Sequence, residues 1–192
     1  MGSNSWWQQV VNVIADGTAI ASSTSQTSLL TGSPGASPGV WTMPANTLQP
    51  GTEILIRAAG RMSTVVTTPG TATFTVKIGS VNAMVSQAMA LNTTAQTSQT
   101  WILEIHATAR QVGNSTNTQL MWTGKFVSRA VVGSGAAGST GVGILLIPEA
   151  APAVSTGFDS TAANAIDLQY TWSVNSASNS IQLQQYSLAF KN

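Results

Sequence analysis

The sequence predicts an all-β protein, and three observations carry that prediction. Apolar residues recur with period two rather than 3.6, the runs are short, and Gly, Pro, Asn or Ser closes each one. Strands at such intervals pack as a sandwich or a barrel. The chain is organised around the stretch from Met43 to Ser80. Pro50-Gly51 is a turn pair, since proline presets φ at the second turn position and glycine accepts the positive φ that follows in a type II turn. After it Ile54, Ile56 and Ala58 fall on one side of a strand, with Glu53, Leu55, Arg57, Ala59 and Arg61 on the other. Thr68-Pro69-Gly70 punctuates again, and Ala72, Phe74, Val76 and Ile78 then alternate with Thr71, Thr73, Thr75 and Lys77. The expected unit is hairpin-like, with a long connector.

The other elements follow in order. Trp6 and Trp7 are adjacent, so they point to opposite sides of an extended segment, and one small core cannot readily bury both. The segment from Met1 to about Asp16 is therefore expected to be an arm laid on a neighbour, with an N-terminal core strand as the plainer alternative. Asp16-Gly17 is the strongest two-residue hairpin signal, with Thr18 to Ser23 as its return strand. Leu29-Leu30 starts a short strand, Gly32 to Gly39 is a loop, and Val40 to Met43 is a brief strand. Val81 to Leu91 fits helix or strand, and its neighbours favour strand. Gln99 to Arg110 is the clearest strand, with Trp101, Leu103, Ile105, Ala107 and Ala109 inward and Ile102, Glu104, His106, Thr108 and Arg110 outward. Leu120, Trp122, Gly124 and Phe126 continue the inner set. Gly133 to Gly143 is a loop, and Ile144 to Ile147 is an apolar run stopped by Pro148. Ile166, Leu168, Tyr170 and Trp172 share one phase. The last strand changes phase at Gln184-Gln185, as a β-bulge would make it.

Composition narrows the function classes. Charged residues make up only 7% of the 192, against roughly 25% in an ordinary soluble domain. A surface so poor in charge lacks the usual protection against association. The net charge of +1 marks no nucleic-acid face. There is no cysteine, which removes disulfides and thiol chemistry. No run is long and apolar enough to cross a membrane as a helix. Asp16 interrupts the N-terminal apolar stretch and no basic region precedes it, so no signal peptide is expected.

Searches for chemistry return little. Gly133-Ser134-Gly135-Ala136-Ala137-Gly138 matches the dinucleotide spacing, with Asp159 near the position of a ribose-binding acid. That chemistry needs a helix opening at the third glycine, and the following Ser-Thr-Gly-Val-Gly and Pro148 deny one. His106 is the sole histidine, so a multi-histidine metal site is impossible, and no Gly-x-Ser-x-Gly elbow accompanies it. The acids form no glycosidase pair. Arg57 and Arg61 share one side of their strand and suit surface or intersubunit ion pairs.

Ala45-Asn46-Thr47-Leu48-Gln49-Pro50-Gly51-Thr52, Ile56-Arg57-Ala58-Ala59-Gly60-Arg61 and Phe74-Thr75-Val76-Lys77-Ile78-Gly79 resemble virion structural proteins of tailed bacteriophages. The likeness continues through Ala88 to Thr94 and Gly157 to Thr161 and covers most of the chain. It tips the choice among sandwiches to a two-sheet jelly roll, and with the arm read from Trp6 and Trp7 the expected organisation is a two-sheet jelly-roll-like sandwich with an N-terminal arm: residues 1–24 as arm and first hairpin, 25–192 as the sandwich. It implies a structural protein of the head decoration or the tail, and the first reading is a non-enzymatic decoration or cement protein on the capsid surface, made in the host bacterial cytoplasm. A homotrimer on the major capsid protein or other virion proteins is the expected assembly, with no nucleic acid, membrane or cofactor as partner. Trp6, Trp7, Val10, Arg57 and Arg61 are the expected assembly contacts, and no catalytic or metal residue is expected. The alternative is a tail-fibre or receptor-binding module for a host glycan. A secreted lectin-like or hydrolytic domain is the third reading.

Overall fold

Alternation this consistent gives strands with one dry face, and two such faces bury each other. A computed structural model describes residues 6–13, 15–31, 40–65, 67–134 and 143–192. Its strands are β1 (Trp7–Val13), β2 (Ile20–Ala21), β3 (Thr27–Ser28), β4 (Trp41–Met43), β5 (Glu53–Thr64), β6 (Thr71–Ile78), β7 (Val81–Val85), β8 (Met89–Leu91), β9 (Gln96–Gln111), β10 (Gln119–Ser128), β11 (Val131–Ser134), β12 (Ile144–Ile147), β13 (Asn164–Trp172) and β14 (Ser180–Lys191). Sheet A runs β1-β14-β5-β9-β10-β12, with β2 also on β14. Sheet B runs β11-β8-β6-β13-β3, with β4 on β13 and β7 on β6. The expected all-β, two-sheet sandwich is what forms, and no helix occurs among the described residues. The pairing is nested: β14 lies between β1 and β5, and β13 between β4 and β6. This is jelly-roll order, widened by β10 and β12 on one sheet and β11 on the other.

The two inner faces meet in one aromatic cluster. Phe74 on β6 packs against Trp101 at 5.8 Å, Phe126 at 5.1 Å and Tyr170 at 4.8 Å, and Tyr170 meets Trp172 edge-on at 4.8 Å. Each such pair contributes about 0.5–1.5 kcal/mol beyond its burial. Trp101, Phe126, Tyr170 and Trp172 are all fully buried, as their phase predicts. Gly60 stands opposite Trp101 in the β5–β9 ladder. A side chain there would collide with the Gln182 carbonyl and crowd the Trp101 indole.

Several local expectations hold. Gly51 has φ 94° and Thr52 donates to the Gln49 carbonyl at 2.9 Å, closing the Pro50-Gly51 turn. The β14 bulge falls between Leu183 and Gln185. Val81 to Leu91 supplies two strands, β7 and β8.

Others are corrected. Glu53–Thr64 and Thr71–Ile78 do not form a hairpin-like unit; they lie in different sheets. Their connector crosses the sandwich, so the two dry faces oppose instead of extending one open surface. Buried Asn179 holds that crossing, accepting from Val65 N–H at 2.9 Å and donating to the Pro69 carbonyl at 2.9 Å. Asp16-Gly17 closes no hairpin either, because β1 and β2 both pair with β14. The pair carries the chain past the β14 bulge, where Gly17 N–H donates to the Leu183 carbonyl at 2.8 Å and Gln182 Nε2 donates to the Gly17 carbonyl at 2.8 Å. The segment read as an arm is, from Trp7 to Val13, an edge strand of its own sandwich, because Val11 and Val13 are buried on the core side. Residues 1–5 of the expected arm lie outside the described residues. Leu29 and Leu30 sit in a turn after β3, not in a strand.

Candidate functional site

With the inner faces consumed by the core, function must come from the outer faces, edges and loops. On sheet A the outer phase of four strands is in register. Ala59 faces Ile102, Ile102 faces Val127, and Val127 faces Ile144, which makes an apolar row across β5, β9, β10 and β12. The next row is Arg57, Glu104, Lys125 and Leu146. Ile102 is 45% exposed, Ile144 54% and Leu146 65%. These are large aliphatic side chains left in water by alternation, because the opposite phase of each strand is committed to the core.

Charges frame this row. Lys125 Nζ lies 2.9 Å from Glu104 Oε2, and Arg57 Nε 4.0 Å from Glu104 Oε1. The hydrogen bond from Lys125 holds the Glu104 carboxyl below its ordinary range, against a smaller opposing effect of burial. Arg61 Nε donates to Gln182 Oε1 at 2.7 Å, and Lys191 pairs with Glu53 at 3.3 Å. Two shallow depressions lie on this face. One, about 470 Å³, is lined by Asn12, Arg57, Ala59, Ile102 and Gln185; the other, about 240 Å³, by Trp7, Leu55, Arg57, His106 and Lys191. Arg57 lines both.

The expected contact residues therefore divide. Trp7 and Arg57 come together in the smaller depression, with Trp7 57% exposed. Arg61 lies on the same outer face, further along β5. Trp6 is exposed beyond β1 and exchanges backbone hydrogen bonds with Asn192 at 3.1 Å. Val10 is half-buried at the β1 bulge and packs against the core. Sequence reasoning missed Ile102, Val127, Ile144, Leu146 and the Glu104–Lys125 pair. Ile102 was legible as the one large aliphatic in the polar phase of its strand. Ile144 and Leu146 were not, since a run of four apolar residues carries no phase.

His106 has Leu55 and Thr123 as its cross-strand neighbours, and Glu104 is engaged with Lys125. No three metal-ligating side chains cluster among the described residues. Of the dinucleotide-like spacing, Gly133 and Ser134 end β11 and the remainder lies outside the described residues. Asp159 serves its own loop: Thr161 donates to it through its hydroxyl at 2.6 Å and its N–H at 2.8 Å, which lowers its pKa.

Sheet B presents a different outer face. Gln26 Nε2 donates to Asn82 Oδ1 at 3.2 Å and to Gln169 Oε1 at 2.6 Å. Gln169 Nε2 donates to Asp167 Oδ2 at 2.7 Å, and Ser28 Oγ to Asp167 Oδ1 at 2.6 Å. Lys77 faces Asp167 across the ladder.

The fold and its surfaces define an all-β jelly roll with a side-chain hydrogen-bond network on one outer face and an exposed aliphatic row on the other. Compared with known proteins, the chain matches no family model and no curated protein.

Proposed function

We propose that the chain is a non-enzymatic structural protein of a tailed-phage virion, a decoration or cement protein that binds the head lattice as an oligomer, with a homotrimer as the expected state. The observation that carries this reading is the open face of sheet A: Ile102, Ile144 and Leu146 stand exposed in a protein whose charge content is 7%. Such a surface gains by being covered. Its mechanism is binding, in which each subunit buries apolar side chains against the particle and spreads load across the lattice. The resemblance of the Ala45–Thr52, Ile56–Arg61 and Phe74–Gly79 stretches to tailed-phage virion proteins supports a structural role in the virion.

The test is peptide mass spectrometry of purified particles, followed by imaging of particles made with and without this gene product. Density that disappears from the head in its absence is the expected result. Particles that lack the chain altogether refute the reading. Density confined to a tail tip favours the second reading, a receptor-binding module. One observation supports that alternative: Trp7 is exposed beside Arg57 and His106, an aromatic platform with polar neighbours. Glycan binding lost in Trp7→Ala would establish it.

A further inference from the structure

The charged residues are scarce, and their distribution is uneven. On the outer face of sheet A the strands β5, β9, β10 and β14 place Arg57, Arg61, Arg110, Lys125 and Lys191, five of the chain's seven cationic side chains, with Glu53 and Glu104 of its six carboxylates among them; Asp16, which accepts from Gln184, and Glu149, which lines a depression with Thr123 and Leu146, lie at the border of the face. These strand positions hold an excess of three positive charges, while the rest of a chain of net charge +1, the bordering Asp16 and Glu149 included, holds an excess of two negative. We infer that the outer face of sheet A is a docking surface for an acidic protein surface, seated with the Ile102–Val127–Ile144 row at its dry centre and the arginines at its rim.

Three features argue for this occupant. Covering Arg57, Arg61 and Arg110 with a neutral surface would strip them of water without replacing it, and carboxylates replace it best because the guanidinium fork pairs with them bidentately. An apolar centre with a polar rim is the anatomy of a protein–protein interface. A phosphate backbone would instead meet aliphatic side chains at the middle of the face and the carboxylate of Glu104 beside it. A second copy of this chain offers poor complementarity, since the acids outside the face are dispersed: Asp167 is engaged with Ser28 and Gln169, and Asp159 with Thr161.

This inference rests on the virion reading, and the experiment separates the two. Particles assembled without the chain are incubated with the purified full-length parent, with Ile102→Asp, with Arg57→Glu/Arg61→Glu, and with the sheet B control Thr171→Glu. Bound protein is measured by co-sedimentation between about 0.05 and 0.5 M salt, a range over which exposed charges become screened. Thermal midpoints confirm that each variant is folded. The parent and Thr171→Glu are expected to bind equally and to weaken as salt rises. Each sheet A variant is expected to lose at least about tenfold in affinity. A parent that binds no particle overturns the virion reading and the docking partner with it. A parent that binds while both sheet A variants bind as tightly overturns the docking surface alone. Sedimentation velocity of the free proteins, duplex DNA and phosphatidylglycerol vesicles serve as competing probes. If the sheet A substitutions abolish self-association, DNA binding or vesicle binding instead of particle binding, the acidic protein partner is wrong.

Discussion

The outer faces of sheets A and B are built from the same alternation and end in opposite conditions. On sheet B, Asn82, Gln26, Gln169, Asp167 and Ser28 form a continuous line of side-chain hydrogen bonds. Each of these five side chains has a partner within the chain, and the large aliphatic left exposed on this sheet is Val85 of β7. On sheet A, aliphatic side chains stand in register across four strands, and five cationic side chains share two carboxylates on those strands and β14. The difference shows that exposure alone does not mark a binding surface. What marks it is the mismatch between what a face carries and what the chain supplies to satisfy it.

The comparison assumes that both faces stand on one common core, and the largest expected effect tests that assumption. Trp172 on β13 packs against Tyr170 and donates its indole N–H to the Ile20 carbonyl at 3.3 Å, tying sheet B to the β2 segment that lies on sheet A. Trp172→Ala is expected to cost about 3–5 kcal/mol, read as a lower urea midpoint. A single transition reported identically by probes on the two sheets is required. Two separable transitions would mean that the faces belong to independent units.

The core can also be read by alkaline titration. The chain has two tyrosines, Tyr170 on sheet B and Tyr186 on sheet A, and burial raises both phenol pKa values. A raised folded-state value contributes stability that is complete below the ordinary value of 10 and is lost as pH rises above it. Phenolate absorbance at 295 nm is therefore expected to stay flat through pH 10 and then to rise together with unfolding. Titration of either tyrosine near pH 10 in folded protein contradicts the burial.

A smaller effect separates the faces directly. Asp167→Ala removes the acceptor for both Ser28 and Gln169 and is expected to cost about 1–2 kcal/mol, measured by thermal unfolding. The matching change on sheet A, Glu104→Gln, is expected to cost less than about 1 kcal/mol, because its ion pairs are largely solvated. Its pH signature is distinctive. Glu104 has a lowered folded-state pKa, so its contribution is present above the ordinary value of 4.5 and fades as pH falls below it. Glu104→Gln should flatten that part of the stability profile. An Asp167→Ala variant as stable as the parent would erase the distinction between a closed face and an open one.

By itself the sequence determined the class of fold and the inner faces. Period-two alternation in Ile54 to Met62, Trp101 to Ala109 and Ile166 to Trp172 settles which side chains are buried, because a strand has only two sides and water excludes one set. It also marked the Pro50-Gly51 turn and the Gln184-Gln185 bulge, whose causes are local. Which strands pair was left to the tertiary structure. Asp16-Gly17 has hairpin chemistry, yet Val13 and Ile20 gain more by lying along β14, so the chain continues past the bulge. Asn179 looks like any loop asparagine until the crossing from β5 to β6 brings Val65 and Pro69 to it. The candidate face was half legible. Arg57, Arg61 and Trp7 stood out by type, but the apolar row exists only because three ladders place Ala59, Ile102, Val127 and Ile144 side by side. Their sequence separations run from 17 to 43 residues, and no local pattern encodes a register between strands so far apart. That register is fixed by burying the other phase of each strand, so the core decides what the outer face displays.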